Sequence, residues 1–132
     1  MAFFHMPPAE FKEAYEKMKL GDHSESYEHG SIGEKDEYFG ISNRPPHFFE
    51  KAVDNSWLKW IFCGHDHLNT LSLTYKGIRM TYGMSIDYLG YSGIAKQYIQ
   101  RGATLITRKT DGNIDITMVP LTTVVSTRVR GA

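Results

Sequence analysis

The segment "WLKWIFC", residues 57–63, constrains the fold of this chain more than any other. Its apolar residues do not alternate with polar ones, as they would in a strand with one wet face. The strand is therefore expected to be covered on both faces, as inside a parallel sheet. A parallel neighbour requires a crossover connection, and the upstream residues supply one. "MAFFH", residues 1–5, reads as a short apolar strand. "PPAEFKEAYEKMKLG" then places Phe11, Ala14, Tyr15 and Met18 at i, i+3, i+4 and i+7 on one helix face, with Pro8 in the first turn and Gly21 at the stop. "PPHFFEKAVDNS" reads as a second proline-opened helix with Phe48, Phe49, Ala52 and Val53 on one side. Strand, helices and strand make an α/β crossover unit, expected to be right-handed.

Past the middle of the chain the pattern changes. "TLSLTYKGIRMTY" is two alternating runs around Lys76-Gly77, and "ATLITRKTDGNIDITMV" is two more around Asp111-Gly112. Both read as hairpins, so the expected architecture is α/β: a mixed sheet with two helices and two hairpins. The tail "TTVVSTRVRGA" reads as a last strand or a frayed end. Residues 22–45 show no period and many charged and glycine residues, and are expected to form a long loop. A length of 132 residues suits one domain rather than two, with a real core.

Charge excludes one class of partner. Residues 1–60 hold 11 acids and 7 Lys/Arg, and residues 61–132 hold 4 acids and 8 Lys/Arg, so the halves carry −4 and +4. A nucleic-acid footprint needs a concentrated basic face, which this distribution does not suggest. No apolar run approaches a membrane span and no basic-then-apolar leader is visible. The single cysteine, Cys63, excludes an internal disulfide and fits a reducing, cytoplasmic setting; at the end of an apolar run it reads as a small core residue.

Chemistry concentrates where the two core strands end. The first closes on His5, and the second runs through "IFCGHDHLNT" into Gly64, His65, Asp66 and His67. If the strands are parallel neighbours, His5 and His65 emerge at one carboxyl-terminal rim, where open α/β sheets bind ligands. Neutral imidazole is a common ligand for zinc and iron, and two at i, i+2 can converge on one ion or two adjacent ones. Gly64 is expected to let the backbone turn sharply there. Read instead as a polar turn, His-Asp-His needs no ion. The metal reading is preferred because the motif closes a buried strand and a second strand ends at His5.

Other residues carry weaker signals. Residues 22–37 mix two histidines with six acids and read as a solvated loop rather than a further metal site. Arg101 is a candidate phosphate clamp, whereas Arg79 reads as strand-edge charge. Tyr82, Tyr88 and Tyr91, among Gly83, Gly90 and Gly93, suggest an aromatic loop able to line a pocket, with core packing as the other reading of Tyr82. His47 reads as a helix-start surface residue, and Asn69 is placed to hold the loop after the histidines.

"FFHMPPAEF" and "IFCGHDHLNT" together resemble the last two metal-binding motifs of the calcineurin-like metallophosphoesterases, which include the purple acid phosphatases. "YKGIRMTYGMSIDYLGYSG" and "RGATLI" are similar to the strands that follow those motifs in the purple-acid-phosphatase-like branch. The resemblance implies an αββα sandwich of which residues 1–132 form a single partial domain, the carboxyl-terminal half. It further implies hydrolysis of phosphate esters at two metal ions (Zn, Fe or Mn) through a bridging hydroxide that attacks phosphorus in line. By that resemblance His5 and His65 bind one ion and His67 the other. Asp66, Asn69, Arg101 and Tyr91 are then expected behind the ligands or against the substrate, and the residues of 22–37, His29 and Glu34 among them, near the mouth of the site.

The early motifs of that family, an Asp-x-His pair, a bridging aspartate, an asparagine ligand and a histidine assisting the leaving group, have no match in this chain. The expected partner is therefore a complementary amino-terminal half or a second copy, since an unpartnered apolar sheet edge is prone to association. Two alternatives follow from the same residues. One is a non-catalytic α/β fragment that docks to a partner chain. The other is a mononuclear zinc protein using His5, His65 and His67 together.

Overall fold

The computed structural model describes residues 1–22, 25–42, 47–97 and 99–121. The Pro45-Pro46 start of the second helix and the tail after Leu121 lie outside these. Two compact units divide the chain, Met1–Gly83 and Met84–Ala132.

The first unit is mixed α/β. Strands β1 (Ala2–Phe3), β2 (Glu25–His29), β3 (Trp60–Cys63), β4 (Ser72–Tyr75) and β5 (Ile78–Tyr82) form one sheet in the order β1-β3-β5-β4-β2. β3 lies parallel to both β1 and β5, while β4 is antiparallel to β5 and to β2. The absence of alternation in "WLKWIFC" has its cause here. Ile61, Phe62 and Cys63 are all buried, and the strand has a parallel neighbour on each side.

Helices α1 (Ala9–Lys19) and α2 (His47–Asn55) cover one face. Phe11 and Ala14 from α1, and Phe49 and Ala52 from α2, join Ile61, Leu73, Tyr75, Ile78, Met80 and Tyr82 in one core. Burying each of the larger apolar side chains contributes roughly 1.5–3 kcal/mol. Phe11 stacks on Tyr82 at 4.9 Å between ring centroids, and Phe49 on Tyr75 at 6.0 Å. Lys17 donates to the Tyr75 hydroxyl, which donates to Glu13, so the one polar atom of that buried ring reaches the helix surface.

Two features differ from the sequence expectation. Residues 22–45 are not one loop, because 25–29 form β2, the sheet edge beyond β4. "ESYEH" has no apolar pattern since an edge strand tolerates polar residues on both faces. β1 is the opposite edge and, among the described residues, pairs with β3 alone. Phe3 is accordingly 63% exposed, stacked on Phe62, and Phe4 meets Phe48 of α2 edge-on at the surface. Finally, Gly64 does not carry the sharp turn, as described below.

The β4–β5 hairpin turns through Lys76 (φ 48°) and Gly77 (φ 78°), the two-residue turn with both centres left-handed that matches strand twist. In the second unit, β6 (Gly102–Arg108) and β7 (Ile114–Pro120) form the other hairpin. Its turn is longer than a two-residue loop: the Gly112 N–H donates to Lys109 O, and Gly112 (φ 87°) follows in the left-handed region. No helix among the described residues is long and apolar enough to cross a membrane.

At β2, the Arg79 guanidinium donates to Nδ1 of His29 at 3.2 Å, which assigns the ring proton to Nε2. That atom is buried without a partner among the described residues. Burial first, and the Arg79 charge second, hold His29 below the ordinary histidine pKa, against a smaller opposing pull from Glu28.

Two predictions follow from this architecture. A Cβ at Gly77 meets nothing within 4 Å, so Gly77→Ala isolates backbone cost. It should lower unfolding free energy by about 1 kcal/mol in urea, read by the fluorescence of Trp57 and Trp60. For His29, the folded state binds its proton less readily than the unfolded chain. Its stabilising contribution is complete above about pH 6.5 and lost as pH falls through the lower folded value. The urea midpoint should therefore decline less on acidification in His29→Gln than in the parent protein.

Candidate functional site: a histidine pair at the sheet rim

The parallel pairing of β1 with β3 continues past both strand ends. The Phe4 N–H donates to Phe62 O at 2.9 Å and the Gly64 N–H to His5 O at 3.0 Å. His5 and the turn after β3 are thereby locked into one register. The result is a pair of imidazoles: Nδ1 of His65 lies 3.2 Å from Nε2 of His5, with ring centroids 5.1 Å apart and planes at 77°.

Two chemistries fit that separation. One ring can donate an N–H to the other. Alternatively, both nitrogens can present lone pairs to one cation. Nitrogens at zinc–imidazole bond lengths and a tetrahedral angle lie about 3.3–3.4 Å apart, close to the observed spacing. Among the described residues, no three His, Cys, Asp or Glu side chains are gathered to hold a metal ion. The expected set of His5, His65 and His67 is thus brought together as a pair. His67 stands half-buried two residues further on. A cation at the pair would complete its shell with water, a bound anion or donors from elsewhere.

The turn that presents His65 is strained at that residue. His65 adopts φ 69°, in the left-handed region, while Gly64 is not among the positive-φ glycines. A non-glycine residue there costs about 1–2 kcal/mol, which the surrounding hydrogen bonds offset. The Asp66 N–H donates to Gly64 O and the Asn69 N–H to Asp66 O. Asp66, 5% exposed, accepts the Gly40 N–H on both carboxylate oxygens at 3.1 and 3.0 Å, and the Tyr82 hydroxyl at 2.6 Å. Burial, followed by the bond to Asp66, pushes the Tyr82 phenol well above the usual tyrosine pKa. Burial and the Asp66 charge raise Cys63 as well, so its thiol stays protonated and unreactive in the core.

Asn69 is wholly buried and holds the facing loop. Its side-chain oxygen accepts the N–H groups of Gly33 and Glu34, and its amide donates to Tyr38 O. The Leu68 N–H donates to the Glu34 carboxylate, and Thr70 and Ser31 exchange bonds. Residues 31–40 are in this way fastened along the histidine turn. Their part in the site was legible only as a general expectation for 22–37. Gly40 and the Asp66–Tyr82 bond had no sequence signal, since each joins segments at least sixteen residues apart.

Arg101 and Tyr91, expected against the substrate, belong to the second unit. Arg101 is buried, and its guanidinium donates to the carbonyls of Asp87, Ile99 and Ile94 while lying over the Tyr88 ring at 5.1 Å. Those bonds engage it in holding the backbone at Asp87, Ile94 and Ile99 rather than as a free anion clamp. Tyr91 is exposed.

Comparison of the chain with protein-family models, with curated proteins and with solved structures found no match in any of the three.

The strain at position 65 is separable from the imidazole. His65→Gly should be more stable than His65→Ala by about 1 kcal/mol in urea, because both lack the ring and only alanine resists φ 69°. Equal stabilities would mean that the turn relaxes when the ring is removed.

Proposed function

We propose that this chain contributes the histidine half of a metal-dependent phosphoesterase site, with His5 and His65 sharing one cation and His67 serving a second. The observation that carries this reading is the 3.2 Å spacing of Nε2 of His5 and Nδ1 of His65, the edge length expected for two imidazoles on one ion. Its sequence support is the pairing of "FFHMPP" with "GHDH", the motifs that resemble the calcineurin-like metallophosphoesterases. The substrate class is a phosphate ester.

In this reading the residues of the chain hold and orient. His5 and His65 bind as neutral imidazoles, since a protonated ring has no lone pair to offer, so cation binding weakens at acid pH. A cation bound there supplies charge neutralisation at phosphoryl oxygens and lowers the pKa of water. The left-handed turn at His65 and the backbone bond from Gly64 to His5 keep the two nitrogens at a fixed separation. Such positioning is what a metal site on rigid strand ends requires.

The missing carboxylates belong, in this proposal, to a complementary segment or chain meeting the edge of β1 that no described strand covers. A strand added parallel to that edge would end beside His5 at the same rim. The exposed Phe3, Phe4, Met6 and Phe48 are the apolar surface it would cover. That same surface favours the second reading, in which the chain is a docking fragment with no chemistry of its own.

Zinc titration separates the two. The chain should bind Zn²⁺ with an affinity that falls at least about tenfold in His5→Ala and in His65→Ala, and inorganic phosphate should strengthen binding in the parent chain by filling open positions. Zinc binding indifferent to both histidines would leave only the docking reading.

A further inference from the structure

Resting on the reading of the imidazole pair as a cation site, we propose that Asp66, Tyr82 and Gly40 form a positioning unit that sets the rotation of the His65 ring and hence the spacing of the two imidazoles. None of the three would touch the cation; they act through His65.

The argument begins at the ring. A Cβ built at Gly40 would lie 2.0 Å from Cδ2 and 2.6 Å from Nε2 of His65. The backbone at position 40 is therefore a wall against that edge of the imidazole, and the wall fits only because glycine has no side chain. With Cδ2 and Nε2 against the wall, Nδ1 is the nitrogen left facing His5, at 3.2 Å. Turning the ring over would fit the same backbone but put Cδ2 in place of Nδ1 beside His5, and the nitrogen–nitrogen approach would be lost.

The wall is held by Asp66. The Gly40 N–H is shared between both carboxylate oxygens, at 3.1 and 3.0 Å. Asp66 in turn is fixed from the core, where the Tyr82 hydroxyl donates to Oδ2 at 2.6 Å. Tyr82 cannot drift, because its ring stacks on Phe11 at 4.9 Å and packs on Phe39 at 5.9 Å. Phe39, the residue before Gly40, is itself buried. Core packing is thus transmitted through two hydrogen-bonded groups to the orientation of one rim imidazole. A buried carboxylate is a costly way to close a turn. A demand for defined imidazole geometry accounts for it, with Asp66 acting through the Gly40 backbone that the His65 ring packs against.

The test uses the full chain with Gly40→Ala, Tyr82→Phe and Asp66→Asn, and Tyr75→Phe as a control that removes a hydroxyl at the other end of the β4–β5 pair, opposite Ile78 and bonded to α1 side chains. Three quantities are read: urea stability, Zn²⁺ affinity, and the nuclear Overhauser contact between the His5 and His65 rings in metal-free protein. The positioning variants should lose the ring contact and bind Zn²⁺ about tenfold more weakly or worse while still folded. Tyr75→Phe should lose stability but keep both. If Gly40→Ala does not fold, Tyr82→Phe and Asp66→Asn decide. Folded variants with the parental ring contact and Zn²⁺ affinity within about twofold would overturn the proposal, as would an equal loss in Tyr75→Phe. Should the parent chain bind no Zn²⁺, the cation reading fails by itself, and the ring contact alone then decides the positioning role.

Discussion

Two backbone hydrogen bonds beyond the ends of the parallel strands carry the rest of the structure. The bonds from Phe4 to Phe62 O and from Gly64 to His5 O extend the β1–β3 register to the rim. Without them, His5 would be the end of a two-residue edge strand, free to swing. With them the two residues are brought to one rim, where Nε2 of His5 and Nδ1 of His65 lie 3.2 Å apart. The register in turn rests on β3 being laddered on both sides, to β1 and to β5.

Around that register, the polar groups divide into two kinds. Asn69 and Asp66 are buried and satisfied by main-chain donors or acceptors, and each holds the facing loop 31–40 from one end. They account for how a left-handed histidine persists in the fold. Arg101 plays the same part in the second unit, gathering three carbonyls of its own loop. In each case a polar side chain is engaged in fixing a loop. The imidazole pair differs, because its two nitrogens face one another and the surface rather than the backbone.

The sheet edges are also unlike. β2 is polar, and its Glu28 and His29 pair with Arg79 and Thr74. β1 is apolar and leaves Phe3, Phe4 and Met6 exposed beside the histidines. Natural edges are usually protected by charge, and β2 follows that pattern while β1 does not. An unprotected edge adjoining an incomplete ligand set is the physical link between the proposed chemistry and the proposed partner.

Much of this was legible in the residues alone. Non-alternating "WLKWIFC" specified an interior strand, the spacing of Phe11, Ala14 and Tyr15 specified a helix face, and Lys76-Gly77 specified a hairpin, because each depends on local periodicity or on φ preferences. The parallel pairing of the strands ending at His5 and His65 could be expected from the crossover pattern. What only the tertiary structure decided is contact between distant segments: β2 as an edge strand, Gly40 against the His65 ring, Tyr82 bonded to Asp66, and Arg101 turned inward. Those outcomes depend on which backbone groups remain unpaired after the sheet has formed, and a linear pattern of residues holds no record of that.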